Sequence, residues 1–481
     1  MNATMSATMN WALATPEIAL ALCAMAVLLY GVLQKQEAAF VSTMLTLGAL
    51  MVTAVLVLAA PQGIAYRGLF VVDGFATFMK LLILSGAALA TILALDYNKY
   101  ENISRFEFQV LIMLSTIGMM IMCSTSSLMT LYLGLELQSL ALYVLCAFAR
   151  DDVRSAESGL KFFVLGALAS GLILYGISLA YGFTGTMQFN ELAAAISSPD
   201  KASAGLVVGV VFIVAGLAFK LSAVPFHMWT PDVYEGAPTP VTAFMSTAPK
   251  VAAIALLLRA LEIPFGHITQ QWTGLIVLVS LGSMILGALA AIGQTNIKRL
   301  MAYSSIGHMG YALVGLAVGT AEGVRGVLVY MATYVFMSAG VFACIIAMRR
   351  RGRALEQISD LGGLSRTDPA LALAMAVFMW SMAGLPPFSG FFGKLYVFLP
   401  AVQAGYWTLS IVGILTSAVG LFYYLRVIKV MYVDTAVPAF DARTPSLSFV
   451  LGVGAVVTSL FFLVPAPIVN AAERAAQVLF P

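Results

Sequence analysis

The chain has 481 residues, of which 61% are hydrophobic and only 10% are charged, and its mean hydropathy is +0.96. An average soluble chain carries roughly 25% charged residues, so this sequence lacks the polar surface that a water-soluble protein of its size needs. Long apolar runs recur from end to end, which excludes a soluble multidomain enzyme and disfavours a transmembrane β-barrel with its short alternating segments. The formal net charge of +3 is small and indicates little by itself.

The composition predicts an all-α polytopic membrane protein. A hydrocarbon core about 30 Å thick needs roughly 20 apolar residues per helix, and the sequence contains fourteen such segments with short connections. In chain order the predicted transmembrane helices are 16–34, 39–60, 69–95, 107–123, 126–148, 159–182, 205–229, 240–262, 270–292, 300–318, 323–348, 371–400, 405–431 and 446–466. We therefore predict a single membrane domain over 1–481.

The distribution of lysine and arginine predicts which side each connection faces. Sixteen of the 25 lie in one set of alternating connections, which includes the basic segment 349–366, and five lie in the other set or near the chain ends. Cytoplasmic loops carry the excess of basic residues, so both termini are predicted on the outer side of the membrane. The basic segment is expected to enforce this topology and to meet lipid phosphates or a partner surface, and nucleic-acid binding is not expected.

The four remaining lysines and one glutamate lie within apolar spans: Lys80, Lys220, Lys250, Lys394 and Glu136. A charged side chain at the centre of a membrane helix costs about 2.5 to 3.5 kcal/mol on insertion scales, so these residues are expected to be paired, hydrated or functional. Lys80 lies nearer the polar end of its span. It either snorkels to the interface, forms a structural ion pair or joins the functional set.

Prolines accompany these lysines. In the seventh span, Pro225 cannot donate to the Leu221 carbonyl, which leaves a free acceptor close to the Lys220 ammonium. In the eighth span, Pro249 directly precedes Lys250 and is a candidate for a similar gap. The alternative is that these prolines only kink their helices.

The twelfth span contains a second proline break. Pro386 and Pro387 release the backbone carbonyls of Met382 and Ala383, shortly before Lys394. Unwound backbone at membrane depth persists only where it is buried in protein or lines a water-filled cavity, so the breaks and the lysines predict one hydrated interior.

The two broken spans are the seventh and the twelfth, and an odd offset of five means that they cross the bilayer in opposite directions. This predicts two five-helix repeats of inverted topology, as in many transporters. The predicted units are 1–106 with helices 1–3, 107–262 with helices 4–8, 270–431 with helices 9–13, and 446–481 with helix 14 and the C-terminus.

Two histidines are secondary relay candidates. His308 lies in the tenth span and is either a link between Lys250 and Lys394 or a solitary hydrogen-bonded histidine, and His227 beside Pro225 is either structural or functional. Histidine and cysteine spacings indicate no metal or haem site, and no phosphate loop or dinucleotide motif is present. We predict no metal and no cofactor bound by this chain.

Burial of a lysine disfavours its protonated form, whereas a nearby carboxylate favours it. At roughly 7 Å and an effective dielectric constant of about 20, the attraction between Glu136 and Lys220 amounts to about 2.4 kcal/mol. Glu136 is therefore expected to act as a switch that holds a proton on Lys220 when close and promotes its release when separated.

Four segments of the sequence resemble the antiporter-like subunits of bacterial respiratory complex I: Leu133–Tyr143, Phe219–Pro240, Pro249–Lys250 and Gly384–Lys394. The resemblance covers nearly the whole chain. Within this family, one kind of subunit usually has glutamate at the position of Lys394, and another continues into a long lateral helix after its last bundle helix. The chain resembles a third kind of subunit, which has neither feature.

This resemblance implies a fourteen-helix fold with discontinuous helices 7 and 12 and a proton path through Glu136, Lys220, Lys250 and Lys394. It also implies partnership with other membrane subunits of an NADH:quinone oxidoreductase, in which FMN, iron-sulfur clusters and quinone belong to partner subunits. Two alternatives remain open: a cation/proton antiporter without redox coupling, and a purely architectural membrane subunit.

Overall fold

A computed structural model describes residues 10–34, 38–197 and 203–480 of the chain. Residues 1–9, 35–37, 198–202 and Pro481 lie outside the described residues. The two chain ends, which are predicted on the periplasmic side, are among them. The described part is predominantly helical.

The α-helices of the described part are numbered in chain order. They are α1 Thr15–Leu33, α2 Ala38–Ala59, α3 Gly74–Tyr100, α4 Glu107–Ser124, α5 Leu128–Cys146, α6 Val153–Thr184, α7 Phe189–Ala195, α8 Ala204–Leu221, α9 Trp229–Gly236, α10 Thr239–Ser246, α11 Ala248–Glu262, α12 Thr269–Ile292, α13 Ile297–Val318, α14 Ala321–Ala347, α15 Leu364–Thr367, α16 Pro369–Ala383, α17 Ser389–Gln403, α18 Trp407–Tyr432, α19 Pro445–Leu460 and α20 Ala466–Gln477.

Two short antiparallel hairpins accompany the helices. Strands β1 (Gly63–Ala65) and β2 (Phe70–Val72) pair with Gly63 opposite Val72, and β3 (Arg349–Arg350) pairs with β4 (Arg353–Ala354). Single 3-10 turns lie at Trp11–Ala14, Tyr66–Gly68, Gly266–Ile268 and Ile358–Leu361.

Eleven helical segments of the described part are long and apolar enough to cross a membrane, with α10 and α11 taken together as one segment. Three predicted spans are not among them. The segment 300–318 lies in α13, which also carries Lys298 and Arg299. The segment 371–400 is divided between α16 and α17, and 446–466 is shorter than predicted because α19 ends at Leu460.

Several predicted helix ends also differ from the structure. Helix α6 begins at Val153 rather than 159 because Asp152 caps it, accepting a hydrogen bond from the Arg154 backbone N–H at 3.1 Å. The predicted span 205–229 stops as a helix at Leu221. The predicted span 240–262 is interrupted at Thr247, whose φ of −113° and ψ of −91° are not helical.

The core lies around α10, α11 and α14. Every residue of α10 and α11 is buried, and most of α14 is buried against neighbours that include α3, α13, α17 and α19. By contrast, α1, α2 and α18 keep many apolar side chains exposed, which is expected where lipid rather than water surrounds a bundle. The helix that carries Lys250 is therefore enclosed on every side.

Buried ion pairs join the N-terminal helices to the core. Asp73 accepts two hydrogen bonds from Arg259 Nη2, at 2.8 and 2.9 Å, and also caps α3 through the Ala76 N–H. Lys80 Nζ lies 2.6 Å from a carboxylate oxygen of the buried Glu17. Of the alternatives for Lys80, the structure contains the ion pair.

We predict that Gly390→Ala destabilises the chain. A Cβ at this position would lie 1.9 Å from the Ser381 backbone oxygen, so α16 and α17 would have to separate. Overpacking of this kind costs about 1–3 kcal/mol or more. The measurement is the thermal unfolding temperature of the assembled, detergent-solubilised complex.

The matched control is Gly171→Ala on α6, where a Cβ would meet no atom within 4 Å. Equal unfolding temperatures for the two variants would contradict the tight contact between α16 and α17.

Candidate functional site

The first part of the site is the break between α8 and α9. It begins directly after Leu221 with Ser222, whose φ of 62° ends the helix. Pro225 has no N–H to donate, and the Leu221 carbonyl accepts a hydrogen bond from Lys250 Nζ at 2.8 Å instead. Lys250 also donates to Ser222 Oγ. The carbonyl predicted as a free acceptor near the Lys220 ammonium is therefore occupied, because α11 brings Lys250 against the end of α8.

Lys220 binds hydroxyl groups on α5. Its Nζ donates to Ser139 Oγ at 2.8 Å and to the Tyr143 hydroxyl at 3.2 Å, and it lies 5.7 Å from the centre of the Phe219 ring. Glu136 is one turn before Ser139 on the same face of α5, yet no ion pair within 4.0 Å joins it to Lys220 in the described part of the chain. Glu136 Oε1 is buried without a hydrogen-bond partner.

The second break separates α16 from α17. Lys394 Nζ donates to the Met382 carbonyl at 3.2 Å, to the Ala383 carbonyl at 2.9 Å and to Ser417 Oγ at 2.6 Å. Gly384 makes this possible, since its φ is +87° and a Cβ there would lie 2.8 Å from the lysine Cδ. Carbonyls that the prolines leave without helical donors thus accept from a lysine.

His308 connects two helices through tyrosines. Its Nδ1 is hydrogen bonded to the Tyr330 hydroxyl on α14, and its Nε2 lies 3.1 Å from the Tyr424 hydroxyl on α18. The Tyr424 hydroxyl also contacts Ser304 Oγ. All four side chains are buried. In the described part, no hydrogen bond joins His308 directly to Lys250 or Lys394, so both alternatives for His308 stay open: a link in the relay and a hydrogen-bonded structural histidine.

A row of hydroxyl groups on α10, α13 and α14 ends beside His308. Ser338 Oγ on α14 donates to Ser246 Oγ on α10 at 2.8 Å, and the Tyr334 hydroxyl donates to Ser305 Oγ on α13 at 3.0 Å. The Tyr334 ring centre lies 5.3 Å from that of His308.

Sequence reasoning missed these hydroxyl groups. Tyrosines in an apolar span look like packing residues, but Tyr330, Tyr334 and Ser338 recur every fourth residue. That spacing places the three hydroxyl groups on one face of α14, and it is the sequence feature that could have indicated a hydrogen-bonded row.

His227 lies in the first break and is half-buried, with its Nδ1 unpartnered. Among the described residues, no hydrogen bond or ion pair joins it to Lys220, Lys250 or Lys394. The four cysteines are free thiols, and three of them are buried.

A cavity of about 890 Å³ opens between the ends of α3, α5, α6 and α9. It is lined by the exposed Arg150 and Asp151 at one end and also by Tyr143, whose hydroxyl binds Lys220. One side chain therefore separates this cavity from the Lys220 ammonium.

A charged cluster fixes α9 beside the cavity. Lys298 Nζ donates to the backbone carbonyls of Glu235 and Ala237, at 2.7 and 2.9 Å, and to Glu356 Oε1 at 3.1 Å. These carbonyls at the C-terminal end of α9 lack helical donors, so the lysine satisfies them and complements the helix dipole.

Asp232 adds a second link from α9. Burial acts to raise the pKa of Asp232, but hydrogen bonds from Lys161 and Arg299 outweigh it and hold this pKa below its ordinary value. The carboxylate therefore remains charged at neutral pH and ties α9 to α6 and α13.

Buried lysines at two helix breaks, linked to hydroxyl groups and approached by an open cavity, define an ion-translocating membrane protein. Residues 125–420 match the family described as NADH:quinone oxidoreductase/Mrp antiporter, TM, and the chain belongs to this family.

Similar proteins cover nearly the whole chain. Proteins named NADH-quinone oxidoreductase subunit N are 63% identical in Granulibacter bethesdensis, over 98% of this chain and 100% of that protein, and 55% identical in Rhodospirillum rubrum, over 97% of each. A chain of respiratory complex I from Thermus thermophilus with bound aureothin is 32% identical with a TM-score of 0.83, covering 95% of this chain and 99% of that one. A chain of the Mrp complex from Dietzia sp. DQ12-45-1b shares the fold at 21% identity and a TM-score of 0.85, covering 98% of each.

We predict that Lys298→Met loosens α9. The substitution leaves two backbone carbonyls and a partly buried carboxylate without their donor, and unsatisfied groups of this kind cost about 1–3 kcal/mol each. Amide hydrogen exchange of residues 229–236 in the assembled complex should speed up at least tenfold.

Lys429→Met is the control, since Lys429 forms an exposed ion pair with Asp434 and such pairs contribute little. Unchanged exchange in the Lys298 variant would show that this cluster does not hold α9.

Proposed function

We propose that this chain, an antiporter-like membrane subunit of NADH-quinone oxidoreductase, translocates protons through a relay of Glu136, Lys220, Lys250 and Lys394. The observation that carries the proposal is how the three lysines are satisfied. Each is buried beside a helix break and donates to carbonyls or hydroxyls, and in the described part no carboxylate lies within 4 Å of any of them.

Lys80 differs from these three lysines in its hydrogen-bond partner. It is equally buried but forms a direct ion pair with the buried carboxylate of Glu17. An ammonium that is stabilised only by neutral dipoles can lose and regain a proton without leaving a buried carboxylate unpaired. Lys80 is therefore assigned a structural role, and the other three lysines carry the relay.

Proton entry is assigned to the cavity that Tyr143 lines. Water in this cavity reaches the tyrosine hydroxyl, which both donates and accepts hydrogen bonds and contacts Lys220 Nζ at 3.2 Å. The cavity opens on the side of the basic connections, which we assign to the cytoplasm, with both termini periplasmic.

Transfer from Lys220 to Lys250 occurs at the end of α8. Lys250 donates to the carbonyl of Leu221, the residue that follows Lys220, so two ammonium groups would share one helix end. Like charges disfavour simultaneous protonation, so a proton on one lysine promotes release from the other. The Trp229 ring lies 5.5 Å from Lys250 Nζ, and its Nε1 donates to the Phe219 carbonyl, which holds the ring beside both residues.

The path continues through the hydroxyl row to His308 and Lys394. Hydroxyl groups relay protons when water completes the gaps between them, and His308 has a tyrosine hydroxyl at each ring nitrogen. His227 remains a secondary candidate at the first break, supported by its unpartnered Nδ1. Release is assigned to the periplasmic face beyond Lys394.

The coupling to redox chemistry is electrostatic. Moving one charge against 100 mV requires about 2.3 kcal/mol, which is comparable to the attraction of about 2.4 kcal/mol for Glu136 and Lys220 at roughly 7 Å. A partner-driven shift of α5 would change this separation. FMN, iron-sulfur clusters and quinone are assigned to partner subunits, and in the described residues no three His, Cys, Asp or Glu side chains form a metal-binding group.

We extend the proposal to the topology. Fourteen crossings follow if α13, the broken pair α16 and α17, and α19 are added to the eleven apolar segments. The repeats 107–262 and 270–431 then contain the proline breaks of the seventh and the twelfth helix, respectively, and 1–106 and 446–481 flank them. The five-helix offset between the two breaks supports inverted repeats.

The decisive test is Lys220→Gln in the assembled complex. The amide keeps a hydrogen bond to Ser139 but cannot carry a proton, so quinone reduction and proton pumping should fall together at least tenfold. Both are measured in reconstituted vesicles, by NADH oxidation and by a pH-sensitive dye.

Lys99→Gln on the exposed end of α3 is the control with the same change. Normal pumping in the Lys220 variant would leave only an architectural role. Sodium-driven pH changes by the chain without its redox partners would instead favour the cation/proton antiporter.

A second prediction concerns entry. Tyr143→Phe removes the hydroxyl between the cavity and Lys220, and loss of one hydrogen bond of about 1 kcal/mol corresponds to roughly a fivefold slower turnover. Tyr175→Phe, on the exposed face of α6, should have no effect. Identical turnover in both variants would place proton entry elsewhere.

A further inference from the structure

The first break needs an anchor on another helix, because its own hydrogen bonds fix its shape but not its position. The N–H groups of Ser222, Ala223 and Phe226 all donate to carbonyls of the same stretch of chain. Proline has no N–H, so the remaining one belongs to Val224, and it donates to Ser283 Oγ on α12 at 2.9 Å. Ser283 is fully buried. A neighbouring helix thus satisfies the one backbone donor that the break cannot satisfy itself.

Ser283 is oriented to accept this hydrogen bond. Its hydroxyl donates to the Val279 carbonyl one turn earlier in α12, at 2.7 Å, which leaves an oxygen lone pair for the Val224 N–H. The neighbouring Gly282 gives the Val224 side chain room, since a Cβ there would lie 3.0 Å from Val224 Cγ1. Two adjacent residues of α12 therefore receive Val224, one through its N–H group and the other through its side chain.

Helix α12 is itself firmly packed. Its Ser280 Oγ donates to the Gly310 carbonyl on α13 at 2.7 Å, and a Cβ at Gly287 would lie 2.6 Å from the Gly307 backbone nitrogen. Backbones in such close contact leave little freedom for one helix to slide on the other. The anchor of the first break is therefore fixed to the helix that carries His308.

Ser283 and Lys250 act on the same short stretch of chain. In the described part, hydrogen bonds join residues 221–226 to two other helices, from Lys250 on α11 and to Ser283 on α12. The bonds from Lys250 depend on its protonation, because a charged ammonium binds an oxygen more strongly than a neutral amine does. The bond to Ser283 involves no charge, so it keeps its strength when Lys250 loses its proton.

We propose that Ser283 is a positioning residue for the proton relay, an inference that rests on the proposed function. While Lys250 is neutral, the bond to Ser283 keeps the Leu221 carbonyl and the Ser222 hydroxyl in place. These acceptors then stabilise the next proton on Lys250 without a reorganisation of the break. Ser283 touches neither Lys220 nor Lys250 through a hydrogen bond in the described part, and it acts only through the backbone that it holds.

The test compares Ser283→Ala with Ser283→Thr in the assembled complex. Alanine removes the acceptor of the Val224 N–H, so exchange of this amide should speed up and proton pumping should slow, each roughly fivefold, as for the loss of one hydrogen bond. Threonine keeps the hydroxyl and should restore both. Equal losses in the two variants would show a packing role alone and would overturn the proposal.

Ser410→Ala is the matched control. Ser410 is also buried, but its hydroxyl donates only to the Tyr406 carbonyl four residues earlier, at 3.0 Å. This variant should leave pumping and the exchange of the Val224 amide unchanged. Faster exchange with normal pumping in Ser283→Ala would mean that the anchor holds the break without serving the relay, which would also overturn the proposal.

Lys250→Met provides a second measurement if Ser283→Ala fails to assemble. The substitution removes the ammonium and leaves Ser283, so the Val224 amide should exchange within about twofold of its wild-type rate. A rise of about fivefold or more would show that Ser283 does not hold the break independently of charge. Exchange rates do not depend on pumping, so a failure of the proposed function, measured with Lys220→Gln, is detected separately.

Discussion

A lysine inside a membrane needs hydrogen-bond acceptors, yet it must not be locked to a carboxylate if its proton is to move. An isolated ammonium in a low-dielectric interior is unstable, and a directly paired one is stable but fixed. Lys250 and Lys394 meet both conditions, because backbone carbonyls stabilise their charge without carrying charge themselves. Such carbonyls are free only where a helix is interrupted, and the rest of the architecture follows from that requirement.

The interruptions also have to be tolerated by the surrounding lipid. Pro225, Pro386 and Pro387 are all exposed on the surface of the described chain, although unpaired backbone donors are not tolerated in hydrocarbon. Proline has no N–H, so its exposure leaves no donor unsatisfied. The same residue type thus frees a carbonyl toward the interior and presents an apolar ring to the exterior.

Much of this arrangement could be predicted from the sequence. Apolar runs, lysines within them and prolines beside Lys220 and Lys394 are local features, so the membrane class and the positions of both breaks follow from reading along the chain. Contacts between distant helices could not be predicted. The Leu221 carbonyl was expected to be a free acceptor, but it accepts from Lys250, which lies 29 residues later, and the pair of Asp73 and Arg259 spans 186 residues.

Tyrosine is the residue type whose role depends most on these distant contacts. In a membrane core its ring packs as an apolar group, and only the position of the hydroxyl decides whether it also relays protons. Tyr330 and Tyr424 lie on different helices and meet at the two ring nitrogens of His308. A histidine that is held on both sides can pass a proton by exchanging its donor and acceptor nitrogens, without moving its ring. On the proposed path, burial of most of α14 is an advantage, since hydroxyl groups held in register by close packing need only small changes to transmit a proton.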